Sequence, residues 1–296
     1  MYGTLTGIGW NRWQCDSDRC DMQAICGFRP AVNGYELAGI ENGKSSNIDG
    51  IPFKSIKEDV LKNFRKGGLL IMNWTAPNYN GNEDILEEYA KKVANFLGSL
   101  QDDYGIKAPI VLNLFPIDGK SWYCQLSKDD YIDLYKKMQD LLDDEDVSNV
   151  IYGYSEAYQP GKNLMDRYPD HNIDVINVTY LQSRTSINLP LYDKSIKDII
   201  NQALPFAQEH NTAFGLTTGV ESIGDSSVFA STLLPELKQH HIAYLMFGKN
   251  QGEPIDGHYF VPYPGVENQK IHGFMKLVND EVSIFLEKLN GLYLKH

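Results

Sequence analysis

Short apolar runs alternate with amphipathic segments along the whole chain. The runs cover residues 2–6, 31–38, 68–74, 109–115, 150–154, 173–180, 212–217 and 242–247. The third (GLLIMNW) and fourth (PIVLNLF) are almost continuously apolar, the pattern of strands covered on both faces. Helical spacing fills the gaps. Val60, Leu61 and Phe64 share one side of a segment over 57–64, and Leu86, Tyr89, Val93, Phe96 and Leu97 share one side over 84–97. Ser127 opens Ser-Lys-Asp-Asp, a cap-like start, ahead of the stripe Tyr131, Leu134, Tyr135, Met138, Leu141 and Leu142. Ile196, Ile199, Ile200 and Ala203 form another stripe, as do Phe229, Leu233, Leu234 and Leu237. The segment 269–289 reads as helix in two pieces broken near Asn279, while the first and fifth helices are poorly defined and 156–172 reads as a long loop.

Eight strands with helices between them predict an α/β fold, a (β/α)8 TIM barrel, as one domain over residues 1–296. The alternative is a doubly wound open sheet, but no glycine-rich phosphate loop follows the first run. A net charge of −12 without a basic stripe argues against nucleic acid as a partner. The acidic run 140–146 reads as a solvated helix end. No apolar run is long enough to span a membrane. Cys15 and Cys20 flank Asp-Ser-Asp-Arg, which fits either a short disulfide in an exported protein or free thiols. The cysteine spacing lacks the second half of a zinc site, so neither metal nor cofactor is expected.

Barrel chemistry collects at the carboxyl ends of strands. Those ends carry Thr4, Glu36, Trp74, Phe115 to Asp118, Ser155, Glu156, Tyr180, Thr217 and Phe247 to Asn250. Trp122 and Tyr123 follow the fourth run on a loop, where aromatic faces suit the C–H faces of sugars. Most of the eighteen tyrosines are expected to fill interfaces instead.

The stretches ICGFRPAVNGYELAGIE (25–41), NIDGIPF (47–53), GGLLIMNWTAPN (67–78), NLFPIDGKSWYC (113–124), YPDHNIDVINVTYLQ (168–182), GLTTGVESI (215–223), LLPELKQHHIAYLMF (233–247) and HYFVPYPG (258–265) resemble, in order and spacing, the family 26 glycoside hydrolases, the β-mannanases. The resemblance implies a barrel that holds a mannan-like polysaccharide. It also implies two catalytic glutamates, an acid/base after strand four and a nucleophile ending strand seven. Ile117 and Thr217 occupy those positions, with Pro116 and Thr75 in place of two histidines and Asn113 in place of an arginine. Ile117 cannot transfer a proton, and Thr217 is a poor nucleophile without an adjacent base.

The expectation is a catalytically degenerate, monomeric polysaccharide-binding barrel, secreted, periplasmic or on the cell surface. Trp74, Trp122, Tyr123, Tyr180, Asn73 and Asn250 would supply stacking and neutral hydrogen bonds. The alternative is an active glycosidase with a relocated carboxylate pair. Asp118 with Glu156 are its fallback residues, each having a plainer reading as a turn former and a loop residue. Glu221 reads as structural.

Overall fold

A computed structural model of the chain describes residues 4–9, 20–222, 226–250 and 257–289, with side chains from residue 20 onward apart from 269. Eight strands form the barrel: β1 Thr4–Gly9, β2 Val32–Glu36, β3 Leu69–Trp74, β4 Ile110–Leu114, β5 Val150–Ala157, β6 Val175–Gln182, β7 Ala213–Val220 and β8 Tyr244–Phe247. Each pairs in parallel with the next, and β1 pairs with both β8 and β2, which closes the ring. A two-residue strand β9, Ser283–Ile284, adds to the foot of β1. The helices are α1 Asp21–Cys26, α2 Phe53–Phe64, α3 Glu83–Gly98, α4 Lys128–Asp144, α5 Leu189–Glu209, α6 Leu234–Gln239 and α7 His272–Asn279. No helix is described between β5 and β6, where the loop over 158–174 makes the crossover. Among the described residues no helix is long and apolar enough to cross a membrane.

Two apolar layers hold the barrel. Val32, Ile71, Val111, Val175, Tyr244 and Met246 fill its interior. The alternate positions, such as Leu70, Met72, Leu112, Ile176 and Leu245, join the larger cluster between strands and helices. Gly215 makes room for the interior Tyr244 ring, since a Cβ there would come within 2.0 Å of it. Caps start the helices where polar residues fall: the side chain of Asn82 accepts from Asp84 N, of Ser127 from Asp130 N and of Asn188 from Leu191 N.

Three boundaries differ from the sequence pattern. β5 runs three residues past the apolar run. Phe115 turns at φ 47°, and the chain then re-pairs: Ile117 N donates to Ser155 O at 2.8 Å and Ala157 N to Ile117 O at 2.7 Å. β6 and β7 pair with each other for eight residues and rise higher than expected. The second half of 269–289 is not helix. Asp280 ends α7 by accepting from Val282 N, after which β9 and a 3-10 turn, Leu286–Lys288, follow. The choice between a Cys15–Cys20 disulfide and free thiols involves Cys15, which lies outside the described residues. Cys20 is half-buried, and burial pushes its thiol up.

Candidate functional site

Strand parity decides which side chains look into the barrel. Val32 and Ile71 are interior, so Glu36, Asn73 and Thr75 face the upper interior on β2 and β3. The same count places Asn113 on β4, Ser155 on β5, Asn177 and Thr179 on β6 and Thr217 on β7 toward the axis. These groups are bonded in three sets, of which Glu36 with Thr75 is one. Asn113 Nδ2 donates to Asn73 Oδ1 at 2.8 Å, while the buried Asn113 Oδ1 has no partner. Asn177 Oδ1 accepts from Thr217 Oγ1 at 2.9 Å and Tyr244 OH at 3.1 Å, and its Nδ2 donates to Ser155 Oγ and Thr179 Oγ1. Thr217, at the expected nucleophile position, is thus a buried, neutral member of an amide–hydroxyl network.

Glu36 is the inward carboxyl of this group; the sequence pattern places it at a strand end without giving it a role. Its Oε1 accepts from Ala38 N and Thr75 N, and its Oε2 accepts from Thr75 Oγ1 at 2.9 Å. Burial outweighs these bonds and pushes its pKa up to about 7. The loop after β2 is tied to the one after β8 by a 2.5 Å ion pair between Asp49 and Lys249.

The sequence-derived site residues divide sharply. Trp74 has the opposite parity to Asn73. It is fully buried against Phe115 and donates Nε1 to Glu41 Oε2 at 3.1 Å, so it offers no ring face to a ligand. Tyr123 is fully buried with its hydroxyl on Pro116 O, and Tyr180 stacks on Tyr192 in the helix-facing layer. Asn250 is also a structural anchor. It is 1% exposed, donates to Asp21 Oδ2 and Val261 O, and accepts from Phe260 N and Val261 N. Trp122 is half-buried; its Nε1 donates to Ala76 O, and its ring meets Tyr79 beside a cavity of about 340 Å³ between α3 and α4.

The carboxylates divide too. Asp118 is exposed, with both oxygens used on its own turn: Oδ1 accepts from Lys120 N and Ser121 N at 2.7 Å, and Oδ2 from Ser121 Oγ at 2.8 Å. Burial pushes its pKa up, but the Ser121 and Lys120 amides outweigh that and hold it below the ordinary value. Glu156 pairs with Ile117 across the β4–β5 gap and shares Tyr154's outward parity. Burial raises its pKa against bonds from Met165 N and Tyr154 OH. Glu221 clamps two loops: its Oε1 takes the His258 Nδ1 contact at 2.6 Å and its Oε2 accepts from Arg184 N. Burial raises its pKa, yet the Arg184 amide and His258 more than offset this and leave it lowered.

One aromatic of the mouth was not visible in the sequence. Gly219 and Gly248 lie at inward positions above Thr217 and Met246. A Cβ at either would come within 2.9 and 2.6 Å of the Phe260 ring, so these two glycines form its seat. Gly219 also has φ 152°, which glycine alone adopts readily. Asn250 fixes the Phe260 backbone, and the ring is half-buried. Gly219 and Gly248 lie 41 and 12 positions before Phe260, so neither glycine announces the seat alone.

No family profile matches the chain, and no curated protein does. Solved structures do. A GH26 β-mannanase from Bacteroides ovatus superposes with a TM-score of 0.89 at 25% identity, covering 99% of this chain and 93% of that one. A modular endo-β-1,4-mannanase from Cellulomonas fimi gives 0.80 at 20% identity, with 99% and 74% coverage. The catalytic domain of a Bacillus sp. JAMB-750 GH26 endo-β-1,4-mannanase gives 0.80 at 17%, with 98% and 89% coverage.

Proposed function

We propose that this chain, whose barrel has the fold of the family 26 β-mannanases, is a polysaccharide-binding protein that has lost the hydrolytic centre and takes a β-mannan or related β-glycan. The supporting observation is the composition of the upper interior: amides and hydroxyls on β3 to β7, with a seated aromatic ring on the β7–β8 side. Neutral hydrogen-bonding groups and one rigid ring suit a neutral sugar. A retaining mechanism needs two carboxyls about 5–5.5 Å apart, one ionised and one protonated. Ile117 and Thr217 supply neither.

Calorimetric titration with mannan, glucan and xylan oligosaccharides tests binding. Saturable heat with at least one of them is expected, and its absence at millimolar ligand overturns the reading. Phe260→Ala is expected to weaken that binding by roughly fivefold to tenfold, about 1 kcal/mol for one lost stacking face. Unchanged affinity would remove Phe260 from the site.

A second reading, hydrolysis by relocated carboxyls, draws on Glu36, whose elevated proton affinity suits a general acid. Both its oxygens are engaged by the strand-end backbone and Thr75, and both Asp118 oxygens by a turn, so the binding reading is favoured. Reducing ends released from a polysaccharide panel, and abolished by Glu36→Gln or Glu156→Gln, would reverse that preference.

A further inference from the structure

We propose that the cavity between the loops after β4 and β5 is a second sugar site, which takes a single carboxylate-bearing unit of the hexuronate class. The inference goes beyond the barrel-mouth reading and rests on it only in taking the ligand to be a sugar. The cavity has a volume of about 320 Å³ and opens beside Ile117 and Glu156. That lies at the small end of ligand pockets, enough for one pyranose ring.

Its wall carries two cations, Lys162 and Arg167. Arg167 Nη1 donates to Tyr123 O at 3.3 Å, which orients the guanidinium and leaves further N–H groups for a carboxylate. Glu156 is also held in place. Its Oε2 accepts from Tyr154 OH at 3.0 Å and Met165 N at 2.9 Å, while Oε1 accepts no hydrogen bond from the described residues and can take one from a sugar hydroxyl. Met165 delivers its amide from φ 65°, a left-handed conformation that costs a non-glycine residue about 1 kcal/mol or more. The loop adopts it and buries the Met165 side chain. Gln159 reaches across to Gly119, where a Cβ would come within 2.9 Å of its amide nitrogen. Lys162 and Arg167 against the single carboxyl of Glu156 make the lining side chains net cationic on a chain of net charge −12. The cations match a ligand carboxylate, and Glu156 with Gln159 match its hydroxyls.

The test titrates the full chain with methyl β-D-glucuronide and methyl β-D-glucoside, read by ligand-observed NMR. The glucuronide is expected to bind about tenfold tighter, the worth of one charge-assisted hydrogen bond. Arg167→Gln should erase that preference while leaving the affinity for neutral manno-oligosaccharides unchanged. Lys162→Gln, at an exposed position, makes the same test if Arg167→Gln fails to fold, and should lower the preference. Equal binding of the two glycosides, no binding of either, or a preference that survives both substitutions overturns the proposal. Loss of manno-oligosaccharide binding with the glucuronide preference intact would overturn only the barrel-mouth reading.

Discussion

Asn250→Ala is expected to lower the melting temperature by about 6 °C. The side chain is 1% exposed and has four hydrogen bonds to α1 and to the loop after β8. Alanine leaves the Phe260 and Val261 amides, the Val261 carbonyl and an Asp21 oxygen short of this partner. Each orphaned buried group costs about 1–3 kcal/mol, and partial relaxation brings the total to about 4 kcal/mol. Unfolding entropy for a chain of this size converts that to about 6 °C. The same substitution releases Phe260 from its seat, so glycan affinity should fall with stability. A melting temperature within about 1 °C of the parent would mean that Asn250 is not an anchor. It would then return as a candidate for direct ligand contact.

The second large effect is a pH dependence carried by Glu36. Its pKa is raised from 4.5 to about 7 in the folded chain, chiefly by burial. The folded state therefore holds the proton more tightly than the unfolded state does. The stability from this group is fully present below about pH 4.5 and is lost as pH rises through about 7. The difference corresponds to about 3 kcal/mol across that window. Urea unfolding of the parent and Glu36→Gln from pH 4.5 to 8.5 isolates it from the other carboxylates. The parent should lose that amount relative to the variant as pH rises. Curves that stay parallel would show that Glu36 ionises like a solvated carboxylate.

The barrel was legible because its signal is local. Runs such as GLLIMNW and PIVLNLF can hardly be anything but strands buried on both faces, and the eighth run pairs with the first as a closed ring requires. The site was less legible because ring platforms depend on parity and tertiary approach. Trp74 follows the inward Asn73, so it must point outward into the helix layer, and counting alternate residues from Val32 or Ile71 would have shown it. The same count marks Glu36, one of several strand-end residues, as inward-facing. Phe260 is different. Its seat exists only when β7, β8 and the loop over 257–265 come together, and no local pattern encodes that meeting. The apolar run 150–154 places Glu156 just past the end of a short strand. The re-pairing of Ile117 after the turn at Phe115 carries β5 past it.

The barrel is proposed to hold glycan without cutting it. Electrophoresis of the full chain through native gels cast with and without β-mannan, then stained for polysaccharide, reads both properties at once. The predicted result is a band retarded in the mannan gel with no cleared zone around it after prolonged incubation. A cleared zone at the band would contradict the loss of hydrolysis, and equal mobility in gels cast with mannan, glucan or xylan would contradict binding.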